Sequence, residues 1–525
     1  MTTSGTLAEF AWTALLTACT NWSWTFVISS AIVLWTSYVL VHELLVSPLA
    51  KYPGPKLWAL SNLPSQISLM RGHHHLKMLA LHNHYGPIVR TGPTTLSFNT
   101  AKGFRDIYGF RPGVPQFPKD PKVYGSSLMP TRDAVGGFLS NEAHSRQRRL
   151  LAHGFSDRSI RDLEPRIIIF MDLFISRLRD QARQHKNVNI KAWLEFAAFD
   201  ITGDLMFGET FDCLRDSQLH PWIEFIFSSI MGTTILSAIR HFPILAMLQE
   251  ICTPSWFRQQ LMQNFKLSAE KAERRIAQGI ARADFMSAML KNGIADASSS
   301  PQSMLGEKPI IQMSRHEIHA NSTFIILAGS ETTATALSGC IYYLCTNPSA
   351  LKRLIDDVRE EFSNDVEITN AKCANLPFVD AVIDEGLRLY SPMAAHLPRV
   401  VPSGGATVAG NFLPEDTNVH VPHYASYMSE SNFFRAKEFL PERWLQSDPQ
   451  FEADQRDTLQ PFSLGARNCL GKSLAYLEMR LTIVKLVFNF DLELCPESKK
   501  WSDQHSYFIW HKPALMVRLI DRFAE

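Results

Sequence analysis

The stretch Pro461-Phe-Ser-Leu-Gly-Ala-Arg-Asn-Cys-Leu-Gly471 decides how the rest of this chain is read. Phe462, Gly465, Arg467, Cys469 and Gly471 stand in the spacing F-x-x-G-x-R-x-C-x-G. With average residue usage, five fixed positions coincide by chance in on the order of one in ten thousand chains of this length. Lys472 to Arg480 follows as a good helix, which puts Cys469 beside a helix N-terminus, where free N–H groups and the positive dipole end favour a thiolate. A thiolate is the form that ligates soft metals. Gly465 and Gly471 remove side chains on either side, so a flat ligand can lie against the backbone. Phe462 can shield the sulfur, and Arg467 offers a cation to a carboxylate. A structural cysteine is the ordinary alternative, and the completeness of the pattern favours metal ligation.

The 525 residues are enough for a large core, with 46% hydrophobic and 20% charged residues and a net charge of +1. That balance gives no reason to expect nucleic acid as a partner. The eight cysteines are scattered without a C-x-x-C pair, which argues against a disulfide framework or a zinc cluster.

No charged residue occurs from Phe10 to Val41, and Trp24–Val41 is apolar enough to cross most of a bilayer. Trp22, Trp24, Trp35 and Tyr38 are the aromatics common at membrane interfaces. A transmembrane anchor at about residues 22–45 is expected, within an N-terminal region 1–50. No Lys or Arg precedes Lys51, so a cleaved signal peptide is disfavoured. The cations Lys51 and Lys56 follow the span, which places the main body, residues 51–525, on the cytosolic side. A buried core helix is the alternative. Asn21 begins a glycosylation sequon, set aside because it abuts the expected membrane span. Lys51-Tyr-Pro-Gly-Pro-Lys56 ends any helix and makes a stiff exit.

Beyond it, long helical patterns dominate, with short strands at Ile88–Thr91, Thr95–Asn99, Thr407–Val408, Asn418–Pro422 and Ala514–Leu519. One continuous helix is expected over Trp222–Glu250, and a surface loop over Asp296–Ser303. The reading is one large, mainly α domain with a minor β-sheet. Its strongest helix starts at the capping box Ser314-x-x-Glu317 and stops at Asn347-Pro348. The small residues of Ala328-Gly-Ser-Glu-Thr-Thr333 at its centre cost helix stability and suit the close approach of something broad. The histidines of Arg71–His84 are read as a solvated helix face. Arg146, Arg148 and Arg149 form a basic cluster fit for solubility or for steering an acidic redox partner.

Taken together, these residues resemble the cytochrome P-450 haem-thiolate monooxygenases of the microsomal type. Phe462–Gly471 looks like the family's cysteine-ligand loop, Ala328–Thr333 like its oxygen-activating helix, Glu385-Gly-Leu-Arg388 like its E-x-x-R and Pro441-Glu-Arg-Trp444 like its P-E-R-F variant. The resemblance runs from Pro53 to the C-terminus. It implies the cytochrome P-450 fold, haem b (iron protoporphyrin IX) with Cys469 as axial iron ligand, and Thr332 with Glu331 delivering protons to the distal oxygen. It implies that Glu385, Arg388 and Arg443 form a buried supporting triad. The haem propionates would meet His144, Arg148, Arg399 and Arg467, with His144 standing where many members have Trp. The expected reaction inserts one oxygen atom of O2 into an apolar small molecule, by hydroxylation or epoxidation. No dinucleotide-binding glycine motif or flavin domain is present, so electrons would come from a separate NADPH–cytochrome P-450 reductase. The expected site is the endoplasmic reticulum membrane. Phe199–Gly208 and His144-x-x-x-Arg148-Arg-Leu-Leu look like filamentous-fungal members of secondary-metabolite biosynthesis near the trichothecene hydroxylase group. Two other functions share the cofactor: a haem-thiolate isomerase or dehydratase, against which Thr332 argues, and a haem-binding protein without turnover. By resemblance the substrate lining would come from the 109–138 loop, the Trp222–Glu250 region, Ile325, Ala328, Met393–Leu397 and Tyr507–Trp510.

Overall fold

A computed structural model describes residues 5–125, 130–295, 312–445 and 448–524. The expected loop at Asp296–Ser303 lies outside the described residues. The helices of ten residues or more are α1 Gly5–Val41, α2 His74–Tyr85, α3 Asn141–Ala152, α4 Asp157–Arg183, α5 Ile190–Phe207, α6 Pro221–Ile239, α7 Pro243–Cys252, α8 Ser255–Ala277, α9 Arg315–Thr346, α10 Pro348–Glu361, α11 Pro377–Leu389 and α12 Lys472–Asn489. The strands are β1 Ile88–Gly92, β2 Thr95–Phe98, β3 Val188–Asn189, β4 Arg399–Val400, β5 Ala406–Val408, β6 Asn411–Leu413, β7 Asn418–His420, β8 Phe490–Leu494 and β9 Met516–Asp521. They form sheets ordered β1-β2-β7-β4, β3-β9-β8 and β5-β6. In the largest, β2 pairs parallel to β7 with Leu96 opposite Val419, while β1 and β4 run antiparallel at the edges. The fold is mainly α with minor sheets, as the sequence implied.

α9 organises the molecule. Ser314 Oγ accepts from the Glu317 N–H at 3.2 Å and Glu317 Oε2 accepts from the Ser314 N–H at 2.9 Å, closing the capping box. At 1.5 Å rise its 32 residues span about 48 Å. It is apolar enough to cross a membrane, yet 72% of its apolar window is buried inside the protein. It is the core helix, wrapped by α5, α8, α11 and α12. The other apolar segment, Trp24–Val46, has a mean hydropathy of 1.7 and is 0% buried. It is an apolar helix near the N-terminus that the domain leaves uncovered, suited to a membrane anchor.

The exit from that helix is welded to the domain. A π-helical turn, His42–Val46, ends at Ser47. The buried Arg90 guanidinium of β1 donates to the Glu43 carbonyl at 2.6 Å and pairs with the Glu43 carboxylate at 2.5 Å. The Arg90 N–H donates to the Pro53 carbonyl at 2.7 Å. Gly54 lies so close beneath that a Cβ would meet the Arg90 carbonyl oxygen at 2.3 Å. Only glycine fits between Pro53 and Pro55.

Two expectations are corrected here. The Trp222–Glu250 pattern is two helices, because Pro243 cannot donate to the preceding turn and starts a new one. Gly329 also serves helix packing, since a Cβ there would press on Thr202 Cγ2 of α5 at 3.2 Å. The histidine-rich segment is solvated only in part, with His73 and His84 exposed. His74, His75 and His82 of α2 are buried, as are His420 and His423, with His396 half-buried beside them. The His396 and His420 rings stack at 3.9 Å, and His74 lies 5.3 Å from His396.

Burial holds these imidazoles neutral, with His74, His82 and His423 pushed down to about 4 and His75 to about 3. His396 and His420 are lowered well below the usual histidine value by burial and then by neighbouring imidazoles. Each therefore stabilises the fold fully above its unfolded value near 6.5, and that contribution is lost as pH falls through its folded value. Melting temperature is expected to drop on acidification from about pH 6.5 to about pH 4, with up to about 1.4 kcal/mol per pH unit from each histidine. His420→Phe should remove one proton's share of that slope. Thermal melts across the range measure both.

Candidate active site

The cysteine loop lies between Phe462 and the start of α12. The Cys469 N–H donates to the Phe462 carbonyl at 2.7 Å, which closes the loop. Gly465 has φ +71°, and a Cβ on it would meet the Tyr108 carbonyl oxygen at 2.2 Å. That glycine is required by the turn and by the close approach of the Ala101–Tyr108 helix. Gly471 is different: a Cβ there would meet no atom within 4 Å. Space is kept open beside the cysteine. The Phe462 ring packs on Tyr476 at 5.4 Å between ring centres.

Of the six cysteines whose side chains are described, Cys213, Cys340, Cys373 and Cys495 are buried and Cys345 half-buried, whereas Cys469 is exposed. Yet protein surrounds Cys469 on most sides, and burial raises its thiol pKa. A side chain both accessible and enclosed opens onto internal space. The Gly471 N–H, Arg148 and Lys472 act in the opposite direction and favour the thiolate.

Cations converge above this space. Arg148 of α3 donates to the carbonyl and side-chain oxygens of Asn468, next to the cysteine. Arg467 reaches back the other way, donating to the Phe138 carbonyl at 2.7 Å and to the Leu139 and Ser140 carbonyls at 3.1 Å. The two arginines thus tie α3 and the cysteine loop together. Arg399 of β4 is buried, donates one long bond to the Phe117 carbonyl at 3.5 Å and faces the Tyr108 ring. Lys119 bridges to Arg399 through the backbone, donates to the Gly136 carbonyl and sits 4.2 Å from the Tyr124 ring centre. Sequence reading missed Lys119 and Tyr124, which belong to no local motif. Among the described residues no carboxylate pairs with Lys119, Arg148, Arg399 or Arg467.

Unpaired charge inside a protein is costly. Its effect is visible: burial, then the neighbouring Arg399, lowers Arg467 to about 10, and Lys119 is lowered well below its usual value by burial and by the two arginines. Burial first, then Arg467 and Arg148, pushes His144 down to about 3, so its imidazole is neutral, and its buried Nδ1 has no partner. Such a cluster calls for anionic oxygens. An open slot beside a cysteine, roofed by cations lacking counter-ions and an orphaned imidazole nitrogen, fits a flat metal-binding group with carboxylates on one edge. Haem has that shape and charge.

On α9, the Thr332 hydroxyl donates to the Ala328 carbonyl at 2.6 Å, taking up an acceptor of the helix ladder. Ala328, Gly329 and Thr332 are only half-buried in the middle of an otherwise buried helix. Glu331 is turned elsewhere, onto Lys512 at 2.7 Å.

The E-x-x-R residues meet the P-E-R-W segment in the interior. Arg388 donates through Nε and Nη2 to the two Glu385 oxygens at 2.8 and 2.7 Å. Arg443 Nε adds a bond to Glu385 Oε1 at 3.1 Å, and all three side chains are 0% exposed. Trp444 Nε1–H and the Leu440 N–H also donate to Glu385. Asp454, which sequence reading did not single out, pairs with Arg443 at 2.5 Å. The arginines hold the buried Glu385 carboxyl below its usual range against the opposing effect of burial.

The basic cluster on α3 shrinks on inspection. Arg146 is engaged by Glu317 and the Gln312 carbonyl, and Arg148 by Asn468, so Arg149 is the member left exposed. Of the expected lining segments, Tyr507 accepts from Thr234 of α6 at 3.0 Å, and the Trp510 indole donates to the Ser391 carbonyl at 2.7 Å. Residues 126–129 of the 109–138 loop lie outside the described residues.

Residues 52–519 match the family model described as Cytochrome P450. The chain is 40% identical over 494 residues to cytochrome P450 monooxygenase astJ of Aspergillus oryzae, covering 93% of this chain and 95% of the other. It is 39% identical over 501 residues to averantin hydroxylase of Dothistroma septosporum, covering 94% and 91%. It is 36% identical over 488 residues to trichothecene C-15 hydroxylase of Fusarium sporotrichioides, covering 92% and 95%. With this fold, this cysteine loop and these relatives, the chain belongs to the cytochrome P450 family of haem-thiolate monooxygenases.

Proposed function

We propose that this chain hydroxylates an apolar small molecule of fungal secondary metabolism, a terpenoid, polyketide or alkaloid. The observation that carries the reading is the accessible Cys469 beneath four cations that no carboxylate pairs with among the described residues. Haem, when bound, supplies oxygen activation, and thiolate ligation favours O–O cleavage. Cys469 would hold the haem iron through its sulfur. Arg148, Arg399, Arg467 and Lys119 would neutralise the propionates, with His144 Nδ1 donating a hydrogen bond. Phe462, packed on Tyr476, shields the sulfur from water. Glu385, Arg388 and Arg443 lock the segments that carry the cysteine loop.

Thr332 is the residue assigned to the distal side. Its hydroxyl, held on the Ala328 carbonyl, can turn to donate a hydrogen bond into the groove that it opens in the helix. Glu331 supplies the proton that follows. Electrons would come from a separate NADPH reductase, with Arg149 as the exposed cation toward it. The Trp24–Val46 helix would anchor residues 51–525 on the cytosolic face of the endoplasmic reticulum. The names of two relatives, averantin hydroxylase and trichothecene C-15 hydroxylase, support hydroxylation.

The test is NADPH-driven oxygen consumption in membranes with a reductase and a panel of fungal metabolites, each screened first by difference spectroscopy. A hydroxylated product in step with oxygen consumed is expected. Thr332→Ala should keep the haem and divert most reducing equivalents to peroxide, on the order of a tenfold or greater loss of product per NADPH. Unchanged coupling would remove Thr332 from this role.

A further inference from the structure

Behind Glu331, on the side of α9 that packs against α5, runs a charged ladder. Lys512 enters from the segment before β9, and its Nζ lies 2.7 Å from Glu331 Oε1 and 3.3 Å from Glu195 Oε1. It also donates to Thr335 Oγ1 at 2.6 Å. Lys191 Nζ, one turn before Glu195 on α5, is 2.9 Å from Glu195 Oε2. The side chains of Glu195, Glu331 and Lys512 are at most 3% exposed, whereas Lys191 is 18% exposed and reaches the surface. Glu331 Oε2 is buried with no hydrogen-bond partner.

Two anions and two cations balance, but burying four charges rarely stabilises a core over apolar residues of the same size. The ladder ends at the residue adjoining Thr332, inside the helix turn that Thr332 opens. It begins at the solvent. We infer that Lys512 is a positioning residue that governs the ionisation of Glu331, and that Lys191 and Glu195 form the solvent end of the route by which Glu331 regains its proton. Lys512 stays an ammonium throughout; for each proton Glu331 hands on, one proton from solvent at the Lys191–Glu195 end replaces it. One proton enters, one leaves, and no electron moves.

The groups facing Glu331 are Lys512, Glu195 and Lys191, with Thr335 on its own helix and the Tyr390 phenol of the segment after α11. Burial raises Glu331, Lys512 pulls it down and Glu195 pushes it up, leaving it above the usual carboxylate range. Lys512 is held cationic by the two acids. Glu331 is thus poised nearer neutrality, where a proton donor is most effective.

The inference rests on the proposed monooxygenase reading, but its first test needs no substrate. In the haem-loaded protein at neutral pH, Lys512→Met should increase the infrared band of a protonated buried carboxyl, and Glu331→Gln added to it should abolish the increase. Glu195→Gln, which removes the like charge, should act in the opposite sense and diminish the band. With substrate, Lys512→Met should lower product per NADPH on the order of tenfold and enlarge the solvent deuterium effect, while Lys512→Arg restores both. A Lys512→Met protein with the normal thiolate spectrum and an unchanged carboxyl band overturns the inference. So does Lys512→Arg failing as badly as Lys512→Met, which would mark a merely structural contact. Should Lys512→Met not fold, Glu195→Gln decides alone: an unaltered band and pH profile overturn it.

Discussion

Glu385→Ala should yield no haem-loaded protein at all. The carboxylate is 0% exposed and accepts from Arg388, Arg443, Trp444 and the Leu440 N–H, so its removal strands two fully buried guanidinium groups. Arg388 would keep the Tyr427, Ala436 and Glu438 carbonyls as acceptors, and Arg443 would keep Asp454. Two charges would then share one remaining acid. Breaking a buried pair from one side costs about 3–5 kcal/mol, against a total stability of about 5–15 kcal/mol for a typical domain. The loss comes at the junction of α11 with the segment leading to the cysteine loop, so it is expected to appear as absent ferrous–carbonyl absorbance before it appears as lost helix. Spectra of haem content beside circular dichroism separate the two. A stable, fully loaded Glu385→Ala protein would show that the triad supports nothing at the cofactor.

Cys469→Ser is expected to fold and to lose the thiolate signature completely. The side chain makes no packing contribution that a hydroxyl would spoil, because it opens onto internal space while its backbone N–H holds the Phe462 carbonyl. Stability should change by roughly 0–0.5 kcal/mol, as for substitutions away from packed or paired groups. The reduced, carbon-monoxide-bound spectrum should change class, and product formation should fall by at least about a thousandfold, since the thiolate is what favours O–O cleavage. Survival of the original ferrous–carbonyl band in that variant would require another cysteine to hold the iron. Among the described cysteines none is placed to serve, since four are buried and Cys345 lies half-buried near the end of α9.

Much of this was legible in one dimension because its signals are local. The capping box at Ser314, the stop at Pro348, the E-x-x-R pair one helical turn apart and the glycines around Cys469 each act within a few residues. What escaped was made by distant pairing. Lys119 becomes a member of the cation cluster only because β4 brings Arg399 beside it, and Lys512 meets Glu331 only after the chain returns past β8. Asp454 meets Arg443 across a turn with no motif of its own. The histidines misled for a related reason. A histidine-rich run reads as polar, but α2 lays His74 and His75 against His396, Trp510 and Tyr424 from far along the chain. The missing side chain of Gly329 was plain in the sequence, whereas Thr202, the neighbour it accommodates on α5, comes from far along the chain. The break before α7 did have a visible cause, Pro243.

The clamp between Arg90 and Glu43 makes the leading helix more than a tether. A tether of loose residues would let the catalytic body swivel, whereas a guanidinium fastened to both the backbone and the carboxylate of Glu43 fixes the angle at which the body hangs. Trimming the chain at Pro53 therefore does more than remove an apolar helix: it strips an interior cation of the one carboxylate that pairs with it among the described residues.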